Sequence, residues 1–272
     1  MCPEVAIGMP VPRPTVRQIA VGDTIKVCRP DGTGDVTEDM ISYGQKMAGN
    51  LSHLSGYIFC AKSPSCGMER VKVYYEHGKG CRHDGVGLFA REMMKANPCM
   101  PVEENGRLND ANLRENFITR VYAYHRWLTL VDEGISKHKL MTFHAEHKYM
   151  LMSHDLVAYK KLGRLLAESE DSLEVLSQQY ILTFMDALKQ HATRKQHSNT
   201  LFHLQGYFKR NLSTEEKQLL TQCIDEYRVG LLPLMAPLTM IKHFLTLYPN
   251  DYLQTQKYLD PYPKTLRLRY GL

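Results

Sequence analysis

Two textures of hydrophobic patterning divide the chain. Up to about residue 100 the apolar residues come in short runs broken by Gly and Pro. GMPVPRP, RPDGTGD, SPSCG, HGKG and HDGVG all fall before residue 90, and clusters of this kind punctuate short strands and loops. The run Gly56-Tyr-Ile-Phe-Cys-Ala-Lys62 is apolar and followed at once by a turn, which predicts a buried strand with Cys60 in the core. Ahead of it, Thr37 to His53 sets Met40, Ile41, Met47 and Leu51 at approximate helical spacing. Gly87 to Ala96 predicts another helix, ending before Asn97-Pro98. Helix, buried strand, loop, helix is the alternation of an α/β domain with a small parallel sheet and flanking helices. In such sheets the active loops lie beyond the C-terminal ends of the strands.

From about Asp110 glycine thins out and apolar residues recur at i, i+3 and i+4. Leu113, Phe117, Val121, Tyr124 and Leu128 make one face, and Leu151, Leu156, Leu162 and Leu165 belong to another helical region. Ser213-Thr-Glu-Glu216 is a capping box. It opens a helix carrying Leu219, Leu220, Ile224 and Tyr227 that ends near Gly230 and Pro233. The second part is therefore all-α, and the expected division is residues 1–110 and 111–272.

Composition narrows the class. A chain of 272 residues with 43% hydrophobic content is large enough for two ordinary cores. No stretch approaches 18 uninterrupted apolar residues, so a membrane-spanning helix is not expected. The N-terminus, MCPEVAIGMPVPRP, lacks the basic and apolar regions of a secretion signal. Seven cysteines are an odd number, which points to a reducing cytoplasm where cysteines serve as ligands or buried hydrophobes. Residues 1–115 carry 14 Lys/Arg and 14 Asp/Glu, while residues 116–272 carry 20 and 15 and hold the whole net charge of +5. Nine of the 12 His also lie there. A neutral part joined to a basic one fits a catalytic unit attached to a binder of polyanions. A Lys-rich solvated helical surface accounts for the same numbers.

Candidate chemistry begins with two cysteine loops, Cys2-Pro3-Glu4 and Ser63-Pro64-Ser65-Cys66-Gly67. Pro stiffens the second turn, and Gly67 lets the backbone approach whatever Cys66 binds. The neighbouring Ser hydroxyls can hydrogen-bond a thiolate or inorganic sulfide. Cys28, Cys60, Cys81, Cys99 and Cys223 lack CxxC spacing, which leaves a zinc ribbon or ferredoxin-type cluster unsupported. In the helical part His144, His147 and His154 fall at spacings of three and seven, which predicts one shared face with Lys148 and Asp155 beside it. A polar face inside the bundle, or one against RNA, explains them better than a metal site. Arg194, Lys195, Lys209 and Arg210 interleave with His197, His203 and Tyr207. Cations meet phosphates and rings stack on unpaired bases, so the pattern suits RNA. A solvated face with Tyr207 in the core is the competing reading.

CPEVAIGMPVPRP, GTGDVT and GYIFCAKSPSCG resemble the TudS-like thiouracil desulfidase domain. FHAEHKYMLMSHDLVAYKKLGRL, HSNTLFHLQGYFKRNLSTEEK, YRVGLLPLMAPLTMIKHF and QKYLDPYPKTLRLR resemble the YbgA-like helical domain. Together they cover nearly the whole chain, and the fusion is similar to RudS-type desulfidases acting on 4-thiouridine in tRNA. The resemblance implies a [4Fe–4S] cluster held by three cysteines, with the fourth iron open as a Lewis acid. Two of those cysteines match Cys2 and Cys66. By the same resemblance Glu4 and Ser65 are the catalytic candidates, while Arg13, Asp35 and Ser63 hold substrate or loop geometry. Asp35 as a helix cap and Arg13 as partner of a carboxylate are the structural alternatives. Lys148, Arg194, Lys195, Lys209 and Arg210 are the RNA-binding candidates.

Family members begin with a strand and a loop that supplies the first cysteine. Here that ligand is expected upstream of Met1, as in an N-terminally truncated relative or one whose start was set at an internal Met. Impaired cluster binding and an unpaired sheet edge are expected of the chain as it stands. The implied partner is thiolated tRNA or a thiolated uracil derivative, with homo-oligomerisation open. Two further readings compete: a desulfidase of free thiouracil or thionucleosides, and a cluster-less RNA-binding or interaction protein.

Overall fold

The computed structural model describes residues 2–76 and 79–269; two residues of the expected HGKG turn, His77 and Gly78, lie outside them. The chain divides into two compact units, Met1–Leu113 and Arg114–Leu272. No helix among the described residues is long and apolar enough to cross a membrane.

The first unit opens with a one-turn helix, α1 (Pro3–Ala6), and a hairpin, β1 (Arg17–Val21) and β2 (Thr24–Cys28). Gly22 turns that hairpin at φ +57°, a conformation glycine adopts without penalty. Next come α2 (Thr37–Asn50), β3 (Tyr57–Phe59), β4 (Val71–Tyr75), β5 (Cys81–Gly85), α3 (Leu88–Ala96) and β6 (Val102–Glu104). The fold class agrees with the α/β pattern, but the sheet is mixed rather than parallel and comes in two pieces. One has strand order β2-β1-β4-β5, with β1 parallel to β4 and antiparallel hairpins on either side; the other pairs β3 with β6 in parallel. The hairpins arise because Gly22-Asp23 leaves no room for a crossover helix, which a parallel pairing needs.

The expected buried strand is shorter and only half-buried. Phe59 is 1% exposed, whereas its neighbour Ile58 is 52% exposed and Cys60 is exposed. Cys60 is therefore not a core residue: it continues the outward-facing alternation that begins at Ile58. The inward side packs Phe59 edge-on to Phe89, with Tyr57 and Tyr43 around them. Gly44 lets α2 and α3 approach closely, since a Cβ there would touch Glu92 at 3.0 Å.

In the second unit α4 (Ala111–Asp132) leads into α5 (Lys137–Glu146), α6 (Lys148–His154), α7 (Leu156–Glu168), α8 (Leu173–Lys189), α9 (Arg194–Gln205), α10 (Thr214–Val229), α11 (Met235–Leu247) and α12 (Asp251–Gln254). The Ser213–Glu216 capping box forms, and α10 ends on Gly230 at φ +91°. A second capping box, Thr193 with Gln196, opens α9. The core stacks Trp127 on Tyr180 and Phe184 on Tyr180, with Phe143 edge-on to all three.

The three histidines do not share one face, because the helix breaks at His147 and again at Asp155. His147, buried between α5 and α6, directs Nδ1 to the Phe143 carbonyl at 2.8 Å. His154 turns to the Gln190 carbonyl at 2.6 Å, and His144 to the Tyr180 hydroxyl at 3.2 Å. Asp155 caps α7 by accepting from the N–H groups of Val157 and Ala158. Burial is the main force holding the imidazoles neutral, down to about 4 for His144, about 3 for His147 and about 4 for His154.

In the unfolded chain these imidazoles bind protons near pH 6.5. Between there and about pH 4 the unfolded state therefore holds more protons than the folded one, and stability falls as the pH drops. Each histidine contributes a slope of about 1.4 kcal/mol per pH unit, and none of this dependence exists above pH 6.5. Urea titrations followed by Trp127 fluorescence are expected to show a midpoint that is flat near neutrality and falls steeply from pH 6.5 to 4.5. A midpoint unchanged across that window would contradict buried neutral histidines.

Candidate active site

The loop between β3 and β4 carries Cys66, and four separate braces fix it. The first is Gln18 on β1, fully buried, whose Nε2 donates to the Pro64 and Val86 carbonyls at 2.9 and 2.8 Å. The second is the N-terminus of α3. Its unpaired N–H groups find loop carbonyls: Leu88 donates to Pro64 at 3.3 Å and Ala90 to Ser65 at 3.2 Å, with Gly87 just ahead donating to Gly67 at 2.7 Å. The third is Glu104, which accepts from the Met68 N–H at 3.0 Å. The fourth is internal: Ser63 Oγ accepts from the N–H groups of Ser65 at 3.2 Å and Cys66 at 3.1 Å. Lys62 at φ +62° and Arg70 at φ +55° bracket the loop in left-handed backbone. Each costs of order 1 kcal/mol or more, a cost that such braces hold in place.

Against this loop lies the N-terminal turn. Cys2 caps α1 and Glu4 sits in its first turn, 7% exposed. Ser65, fully buried, donates Oγ–H to Glu4 Oε1 at 2.7 Å, and Arg13 forms an ion pair with Glu4 through Oε2. The buried carboxylate is thus satisfied on both oxygens, as a charge in a dry place must be.

Five of the expected site residues, Glu4, Arg13, Ser63, Ser65 and Cys66, are directly connected, and Cys2 is close enough to act on Cys66. Burial pushes the Cys66 thiol up to about 12, and the Glu4 carboxylate, Cys60 and Cys2 push it the same way. Asp35 turns elsewhere. It accepts from Thr37 N–H and Oγ–H at 3.0 and 2.6 Å and pairs with Lys26 at 3.3 Å, serving the start of α2. Gly67 also departs from its expected part: its missing Cβ makes room for Val71 Cγ2 at 2.5 Å and the Ser63 carbonyl at 3.0 Å. A cleft of about 610 Å³ opens beside the loop, with Lys62, Pro64, Arg17, Arg70 and Tyr74 in its walls, but Glu4, Ser65 and Cys66 are not among its lining residues.

Among the described residues no three metal-capable side chains gather closely enough to hold a single ion. An iron–sulfur cluster has a different requirement, since its cysteines bind separate corners. Cys2 and Cys60 lie near enough to Cys66 to help push its thiol up, and an all-thiol donor set of this kind suits iron and sulfide. Cys60, expected in the core, is an exposed thiol on this side of the loop, and strand alternation is the signal that places it outward.

Gln18, Glu104 and Gly87 carried no sequence signal, because each acts only through contacts far away along the chain. Among the basic residues, Arg194 and Lys195 begin α9 while Lys209 and Arg210 follow its end. The helix between the two pairs is about 18 Å long.

Residues 1–105 match the 2-thiouracil desulfurase family, and residues 148–263 match a family of unknown function, DUF1722. YbgA of Escherichia coli (strain K12), itself described as uncharacterized, is 32% identical over 166 residues, covering 60% of this chain and 98% of that relative. No solved structure matches the chain significantly.

A Cβ on Gly87 would collide with the Ser65 carbonyl and lie 2.6 Å from the Cys66 nitrogen, backbone against backbone. Gly87→Ala is therefore expected to cost about 1–3 kcal/mol and to speed amide exchange across residues 63–67. Gly49→Ala, where a Cβ meets nothing within 4 Å of its helix position, is the control and is expected to be neutral or stabilising. Equal exchange profiles for the two variants would contradict the bracing of the loop by α3.

Proposed function

We infer, because the chain belongs to the family of YbgA and carries a 2-thiouracil desulfurase domain ahead of it, that it removes sulfur from thiolated uridine in tRNA, with 4-thiouridine as substrate. The match of residues 1–105 to the 2-thiouracil desulfurase family supports a C–S desulfidase acting on a thiolated pyrimidine. The observation that carries the reading to a mechanism is the buried Glu4 carboxylate, held by Ser65 and Arg13 beside Cys66.

In the proposed reaction one water enters, the thiocarbonyl becomes a carbonyl, and the sulfur leaves as hydrogen sulfide. A [4Fe–4S] cluster would be held by Cys2 and Cys66 and, in place of the ligand expected upstream of Met1, by Cys60, which would remove the expected impairment of cluster binding; when bound the cluster supplies an open iron as a Lewis acid for the substrate sulfur. The protein's own groups handle the protons. Glu4 takes one proton from the attacking water and returns it toward the departing sulfur, and the second passes the same way from the new hydroxyl as the carbonyl forms. Ser65 and Arg13 hold the carboxylate in place, one on each oxygen, and Ser63 fixes the loop that carries Cys66. RNA as the carrier of the thiolated base is supported by the charge of residues 116–272, which hold the whole net +5, and by the exposed Arg194, Lys195, Lys209 and Arg210. Free 2-thiouracil is the second reading, favoured by the activity after which the matched family is named.

After anaerobic iron–sulfide reconstitution, the chain is expected to convert 4-thiouridine in tRNA to uridine, read by nucleoside mass spectrometry. Glu4→Gln should slow turnover by about 10²- to 10⁴-fold, the usual worth of a general base. Consumption of free 2-thiouracil with thiolated tRNA left intact would select the second reading. Full activity of Glu4→Gln would remove Glu4 from the mechanism.

A further inference from the structure

A second cluster of chemistry lies wholly within the helical unit, where four tyrosines meet. The Tyr207 ring, in the turn after α9, stacks on Tyr252 of α12 with centroids 5.9 Å apart and meets Tyr149 of α6 edge-on at 6.4 Å. Burial, with the phenols of Tyr207, Tyr252 and Tyr159 beside it, pushes the Tyr149 hydroxyl well above the usual tyrosine range. The phenols are thus close neighbours. Tyr159 of α7 is in turn covered by the His144 ring, parallel within 4° at 5.5 Å.

Three features separate this place from ordinary core. Tyr207 is 39% exposed, so the stack opens to solvent. A cavity of about 320 Å³ adjoins it, lined by Tyr207, Phe208, Asn211, Tyr248 and Asn250 among others. Lys148, half-buried, holds its ammonium 5.2 Å from the Tyr149 ring, and no carboxylate pairs with it among the described residues. Neighbouring neutral hydroxyls beside an uncompensated cation form a receptor for an anion, and an open tyrosine stack beside a polar cavity forms one for a flat ring with hydrogen-bonding edges. An unpaired nucleotide has both parts. Lys209 and Arg210, exposed just after Tyr207, continue the positive charge along the direction a strand would take.

We propose that this tyrosine cleft seats one unpaired nucleotide of the RNA, its base against Tyr207 in the cavity and its phosphate on Lys148 and the phenol hydroxyls. The inference rests on the reading of the helical unit as the RNA-holding part. It requires none of the sulfur chemistry.

Binding of unmodified tRNA to the full chain across a salt series tests it, with circular dichroism as the check on folding. Tyr207→Ala is expected to weaken binding about 5- to 100-fold while leaving the salt slope intact, as loss of one stacked base does. Tyr207→Phe, which keeps the ring, should bind close to the native chain. Lys148→Gln should weaken binding and lower the slope of log K against log salt by about one. If Tyr207→Ala does not fold, the Lys148→Gln slope decides. Native binding by the folded variants overturns the cleft and leaves RNA binding standing. Absence of tRNA binding by the native chain at low salt overturns the RNA reading, and the cleft with it.

Discussion

The hydrogen bond from Ser65 to the buried carboxylate of Glu4 organises the N-terminal unit. Burying a carboxylate costs several kcal/mol unless its oxygens find donors. Here one oxygen has the Ser65 hydroxyl and the other has Arg13. Ser65 can serve only if its loop is fixed, and that requirement runs outward through the fold. Gln18 ties the loop to the central strand β1, the first N–H groups of α3 tie it to a helix, and Gly87 brings that helix into backbone contact. The same loop carries Cys66, so the proposed proton-moving carboxylate and the proposed cluster ligand share one support.

The helical unit meets a different constraint. Its core holds His144, His147 and His154 as neutral rings, each with Nδ1 bonded to a carbonyl or a phenol. Burying them ties three helices together through specific polar contacts, and the arrangement holds only where the imidazoles stay unprotonated. The two units thus differ in kind: one gathers thiols and a buried carboxylate, while the other gathers cations and phenols.

Much of the architecture was legible in local patterns. The capping box at Ser213, the glycine end at Gly230 and the helices α2 and α3 all follow from residue types at short spacing. The turn into hairpins was not legible, because periodicity does not tell a crossover from a tight return. The break at His147 escaped for a related reason: a spacing of three and seven looks continuous on paper, yet His147 leaves helical geometry. Cys60 departs from the buried strand its apolar run predicts, because only one side of β3 is covered among the described residues. Gln18 and Gly87 reach the loop from 46 and about 20 residues away along the chain, and no local rule signals such a contact.

The central claim is that water activated at Glu4 replaces sulfur on a thiolated uridine. Single-turnover reaction of 4-thiouridine tRNA in ¹⁸O-labelled water tests it most directly, with the uridine product analysed by mass spectrometry. The account predicts one heavy oxygen in the uridine made by the native chain, at the carbon that lost sulfur, and no such product from Glu4→Gln on the same time scale. Sulfur loss without incorporation of the heavy oxygen, or equal incorporation by the variant, would contradict it.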